Sequence, residues 1–188
     1  MFTRQKLIIL LLLGIVLFFG VGIAAAEYKI GIVDITILFQ QYYKTQNAQT
    51  EFNKKVNSFQ DELNKRNTDI LQLESELETQ KIMLTQGKID EKTKIIDQKK
   101  QDLTNFYQKG SAQLDQENKT MVGALLKEIR ETIAQYARDK SYDFILNKRL
   151  VIQSGQVENE WDIVVYAADK FDLTNTILDI LNAPIKKN

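Results

Sequence analysis

The chain has 188 residues, with 25 basic and 25 acidic side chains, no histidine, no cysteine and one proline. Lacking His and Cys, it has no Ser-His-Asp or Cys-His nucleophilic site, no zinc site of the usual kind and no disulfide. Zero net charge argues against a dedicated nucleic-acid binder, which needs basic residues to displace phosphate counterions.

Arg4 and Lys6 precede an apolar run from Leu7 to Ile23, followed by Ala24, Ala25 and Ala26. A basic start, a hydrophobic stretch and an A-x-A site predict a secretory signal peptide over residues 1–26, cut between Ala26 and Glu27. The competing reading is an uncleaved anchor, because the apolar run approaches the ~17–25 residues that span a bilayer. Cleavage removes two positive charges and no negative ones, shifting the net charge from zero to −2. Within this segment, residues 20–25 imitate a dinucleotide-binding G-x-G-x-x-A. They lack the strand before and the helix after that the fingerprint requires.

Residues 28–33 read as a short strand, and Asp34 as the N-cap of a short helix carrying Ile37, Leu38 and Tyr42. These make residues 27–45 the first part of a body. Residues 46–140 then read as an arm. Val56, Leu63, Ile70, Leu77 and Leu84 recur at steps of seven, interleaved with Phe52, Phe59, Arg66, Leu73 and Gln80. This is an a/d seam with two polar d positions. It breaks near residues 85–90, where Gly87 is expected to close the first helix and Asp90 to cap the second. The second helix, over about 90–140, carries Ile89, Ile96 and Leu103 in phase, then slips toward Val122, Leu126, Ile129, Ile133 and Tyr136. Two helices of about 40 and 50 residues joined by a short tip form an antiparallel hairpin, roughly 60 and 75 Å long.

Residues 141–188 complete the body. Residues 142–146 and 149–152 read as a hairpin turning at Asn147-Lys148, although Lys148 stands where Gly is preferred. An acidic loop to Asn159 follows, then a strand over 161–166. Thr174 is expected to cap a last helix that ends before Pro184. The fold class is therefore α+β, a long helical arm projecting from a small β body. Four short strands and two short helices bury both sheet faces poorly, so association with other copies is the economical solution. The candidate association residues are Ile30, Ile32 and Val33 of the first strand, then Phe144 and Ile145. Leu150 and Ile152, and finally Trp161, Ile163 and Val165, complete the set.

Lys29-Ile-Gly-Ile-Val-Asp34, Leu38-Phe39-Gln40-Gln41, the charged hairpin, Tyr142-Asp143-Phe-Ile-Leu and the closing Asp172-Leu-Thr174 helix together resemble the Skp/OmpH family. The resemblance spans the chain beyond residue 26 and lies in the order and spacing of these pieces. It implies periplasmic homotrimers whose strands assemble a central β body. It implies arms that enclose a cavity and hold unfolded outer-membrane β-barrel proteins without ATP. The best-known members are strongly basic, a property linked to lipopolysaccharide. This chain is not basic, so lipopolysaccharide or membrane contact is not carried over. Lys81, Lys88, Lys92, Lys94, Lys99 and Lys100 make either a local basic tip or an ordinary solvated surface with i,i+4 pairing.

Ile82, Met83, Ile95 and Phe106 lie at or beyond the strict seam and are candidate client contacts, the alternative being that they widen the seam. No cofactor, metal site or catalytic pair is expected. Gly87-Lys88 is no P-loop, since Ile82 and Ile89 occupy its other required positions. The second functional reading is a coiled-coil spacer or docking protein of the envelope, held by an uncleaved first segment.

Overall fold

The computed structural model describes residues 27–154 and 157–183; the signal, cleavage and anchor readings at 1–26, and Pro184, lie outside the described residues. Strand β1 (Ile30–Val33) is followed at once by α1 (Ile35–Gln41), and the Asp34 carboxylate caps α1 by accepting the Ile37 N–H at 3.1 Å. The extended Tyr42 separates α1 from α2 (Tyr43–Gln80), which runs for 38 residues. A single 3₁₀ turn, Lys81–Met83, forms the tip, and α3 (Gln86–Asp139) returns over 54 residues. By the 1.5 Å rise these helices are about 57 and 81 Å long. The tip differs from the expected one: the first helix stops before Gly87, which lies in the first turn of α3. Thr85 occupies the N-cap position in place of Asp90.

Strands β2 (Phe144–Asn147), β3 (Arg149–Ser154) and β4 (Val157–Asp162) follow, then a 3₁₀ turn at Asp169–Phe171 and α4 (Thr174–Leu181). β2 does not pair with β3. It lies parallel to β1, Ile30 opposite Phe144 and Val33 opposite Asn147, while β3 and β4 form a separate antiparallel pair. Parallel strands need a crossover, and here the entire arm is that crossover. Asn147 is not a hairpin turn residue because its side chain accepts the Ile35 N–H at 3.1 Å and donates to the Arg149 carbonyl, moving the chain from one sheet to the next. The last strand is displaced from 161–166 to 157–162, its register set by Arg149 opposite Asp162 and Leu150 opposite Trp161. Thr174 caps nothing with its side chain. Asp172 accepts the Thr174 N–H at 2.9 Å, and the Thr174 hydroxyl accepts the Asp34 N–H at 2.9 Å.

The buried core is mainly helical. Val33 of β1 and Leu38 and Tyr42 around α1 meet Leu125, Ile129 and Ile133 of α3, and Leu173, Ile177 and Leu181 at α4. Gly31 is required for this closure, since a Cβ there would sit 2.4 Å from Leu173 Cδ1. Beneath α1 lies a polar knot that is buried at Asp34 and opens to solvent at Glu160. Asp34 is 1% exposed, its Oδ2 lies 2.6 Å from Arg149 Nε, and Arg149 also pairs with Glu160. In the arm, Ile70 and Ile96 are buried, whereas Phe59, Leu63, Leu73, Leu77, Leu84 and Leu103 are half-buried and Val56 is exposed. Phe59 packs at a tilt against Phe106 and stacks on Tyr107, at centroid separations of 5.2 and 6.5 Å. Across from it Gly110 has no side chain; a Cβ would fall 2.2 Å from Phe59 Cε2.

Two outcomes follow for urea melts followed by far-UV circular dichroism. Asp34→Ala removes a cap and leaves the Arg149 charge half-matched, lowering stability by about 3 kcal/mol, while Asp34→Asn, which keeps the cap acceptor, loses less. Gly110→Ala is destabilising by about 1–2 kcal/mol through overpacking on Phe59. Gly123→Ala, with nothing within 4 Å of the added carbon, gains about 0.5–1 kcal/mol from helix propensity. Equal effects at the two glycines would contradict the packing assigned to Phe59.

Candidate functional site

Because the core is built from helices, the strands keep much of their apolar surface in solvent. On β2 the alternation of a strand places Phe144 and Leu146 on one face, and both are exposed. Tyr28 stands 5.9 Å from the Phe144 ring, with Ile30 on the paired strand. On the second sheet Leu150 and Trp161 oppose one another and are also exposed. Beyond β4 the chain presents Ile163, then Val165 at 91% and Tyr166 at 86% exposure.

Of the ten association candidates, Ile30, Phe144, Leu150, Trp161, Ile163 and Val165 are thus on the surface. Ile145 is half-buried, Ile32 and Val33 are buried within the protomer, and the Ile152 side chain lies outside the described residues. Tyr28, Leu146 and Tyr166 were not among the candidates. The signal for Leu146 was its i+2 spacing from Phe144; for the two tyrosines it was only their position flanking a strand.

The second surface is at the far end of the arm. Ile82 is 96% exposed and Met83 80%, side by side in the 3₁₀ turn, and Ile95 is exposed on the returning helix. Phe106 departs from these three. It packs in the seam on Phe59, and the Arg66 guanidinium lies 4.2 Å from its ring centroid. Arg66 in turn binds Glu62 at 2.7 Å, which is how a charged residue occupies a seam position. Leu71, one residue past the seam position Ile70, is exposed as well; the off-seam criterion applied to Ile82 and Ile95 also selects it.

Of the tip lysines, Lys81, Lys88 and Lys100 pair with Glu78, Glu91 and Glu74, whereas Lys92, Lys94 and Lys99 have no carboxylate within 4.0 Å among the described residues. Among those residues, no group of three or more acidic side chains is placed to hold a metal ion. No described helix is long and apolar enough to cross a membrane.

The arm is braced at its root by a polar cluster. Tyr42, fully buried, donates to Glu128 at 2.8 Å, and Lys44 binds the same oxygen at 2.6 Å. Burial pushes the Tyr42 hydroxyl up to about 12, with the bond to Glu128 adding to it. The Lys44 bond, then the Tyr42 bond, hold the Glu128 carboxyl below the usual carboxylate range. A carboxyl depressed by folding contributes stability above its unfolded pKa and loses it as pH falls through the folded value. Stability measured from pH 7 down to below the ordinary glutamate value of 4.5 therefore falls less steeply in Glu128→Gln than in the wild type. An unchanged slope in denaturant melts would remove Glu128 from the brace.

Residues 29–181 match the family described as outer membrane protein (OmpH-like). The chain is also similar to the crystal structure of a candidate OmpH-like outer membrane chaperone from Caulobacter crescentus CB15. The TM-score is 0.72 at 13% identity, covering 87% of this chain and 89% of that one. At such identity the likeness establishes the fold alone. No curated protein matches the chain in sequence.

Proposed function

The chain belongs to the OmpH-like outer membrane protein family, and from that premise we propose that it is a periplasmic holdase. It binds unfolded outer-membrane β-barrel proteins between helical arms and keeps them from aggregating without ATP. The observation that carries this reading is the apolar surface left open at the tip of a long hairpin, where Ile82 and Met83 are 96% and 80% exposed. A holdase needs surface that meets many apolar segments weakly, and isolated exposed side chains on a solvated helix supply it. Met83 adds a thioether that adapts to varied partners.

The strand face has a different role in this reading. Phe144, Leu150, Trp161, Ile163 and Val165 are the surface through which three copies associate, so that three arms hang from one body and border a cavity. The 57 Å of α2, by the helix rise, sets the depth of that cavity. The Caulobacter protein's description as an outer membrane chaperone supports the same reading. Cleavage after Ala26 would release the chain into the periplasm. Lipopolysaccharide binding is not part of the proposal, since three of the six tip lysines are already paired with carboxylates.

The purified protein is expected to suppress aggregation of a urea-denatured outer-membrane β-barrel on dilution, at near-stoichiometric ratio and with no nucleotide added. Light scattering is expected to give the mass of three protomers, shifting to one protomer in Trp161→Asp/Val165→Asp. A monodisperse monomer, or aggregation that proceeds unhindered, would refute the reading. N-terminal sequencing of protein taken from cells separates a released chaperone, starting at Glu27, from an anchored spacer that retains Met1.

A further inference from the structure

The chain contains no cysteine and three methionines. Met1 lies outside the described residues, and Met121 is half-buried and packed against the body core. Met83 differs from Met121. Its side chain is 80% exposed in a one-turn 3₁₀ segment, next to the 96% exposed Ile82. The turn stands about 57 Å from the body by the length of α2, too far for association through the strand face to cover it.

We propose that Met83 is a reversible oxidation site, at which a peroxide-class oxidant converts the thioether to the sulfoxide and weakens the arm tip's hold on apolar partners. The second half rests on the holdase reading; the first does not. In the chemical step a sulfur lone pair attacks one peroxide oxygen. The O–O bond breaks as the S–O bond forms, and the departing hydroxide takes the remaining proton and leaves as water. Sulfur loses two electrons and the peroxide gains them. Reversal needs a thiol-dependent methionine sulfoxide reductase, which removes the oxygen as water and forms a disulfide among the reductant's thiols. Oxidation replaces a flexible apolar end with a strong dipole, so the Ile82–Met83 pair ceases to be a continuous apolar surface. The exposed side chain has few packing contacts to lose, so the fold itself is unaffected.

The test treats the purified full protein briefly with hydrogen peroxide, quenches with catalase before any client is added, and maps sulfoxide by peptide mass. Met83 is expected to oxidise about tenfold faster than Met121, in keeping with its exposure, with an unchanged melting midpoint. Holding capacity, read as the ratio of treated to untreated protein, is expected to fall about twofold in the wild type. It should recover after reductase treatment and stay constant in Met83→Leu. Equal oxidation of Met83 and Met121 would overturn the site, and an equal fall in Met83→Leu would overturn its effect. Untreated protein that holds no client would instead refute the holdase reading, while the mass map would still decide the oxidation site.

Discussion

The body of this protein depends on one buried carboxylate. Asp34 ends β1, caps α1 and faces Arg149 at the start of β3, and its backbone N–H is bonded to Thr174 at the start of α4. The two partners of that last bond are 140 residues apart, and the Ile35–Asn147 bond spans 112. Contacts at such separations carry the entropy of closing a very long loop. The arm removes most of that cost. Once α2 and α3 lie side by side, with Glu74 on Lys100, Lys55 on Glu117 and Lys44 on Glu128, residues 44 and 128, where the arm meets the body, are already neighbours. The arm therefore brings the two halves of the body together as well as projecting from it.

The arm was largely legible in the sequence because one signal, the heptad, repeats over tens of residues and proline is nearly absent. Ile70 and Ile96 are buried where the period placed them. Legibility fails where a tertiary partner overrides a local preference. Gly87 looked like a helix terminator, yet glycine is also tolerated in a first turn, and α2 had already ended in the 3₁₀ turn. Asn147 looked like a turn residue, but its amide is committed to Ile35 and Arg149, neither visible from local spacing. The warning was Lys148, a residue poorly suited to the turn it was assigned. Residues 161–166 are the more apolar stretch, while the observed β4, Val157–Asp162, is rich in acid and is held in register by Arg149.

The fold class and the family resemblance were readable for the same reason as the arm: they reside in the order of elements, which short-range errors do not disturb. The site was less readable. Phe106 has the composition of a surface contact, and only the facing Phe59, Arg66 and side-chain-free Gly110 place it inside the seam. Ile32 and Val33 sit on a strand expected to face other copies, but α3 and α4 pack over β1 and cover Val33 in particular. The helices occupy the place that a second sheet would take in a self-sufficient β body. That substitution leaves the outward faces of β2, β3 and β4 without cover.

The seam and the surface have opposite requirements, and the arm meets both by keeping its apolar content narrow. A fully apolar seam would hold the helices more tightly. Arg66, stacked on Phe106 and paired with Glu62, gives up some of that tightness, and a polar seam residue restricts the registers in which two helices can meet. Along the outer faces, pairs such as Lys119 with Asp115 and Lys54 with Glu51 add little stability each. They keep the outer faces largely charged, so that the exposed apolar side chains of the arm stay isolated from one another. The apolar tip is small, isolated and set off from the body by the roughly 57 Å length of α2. In the proposed assembly, association at the strand face therefore leaves the tip free.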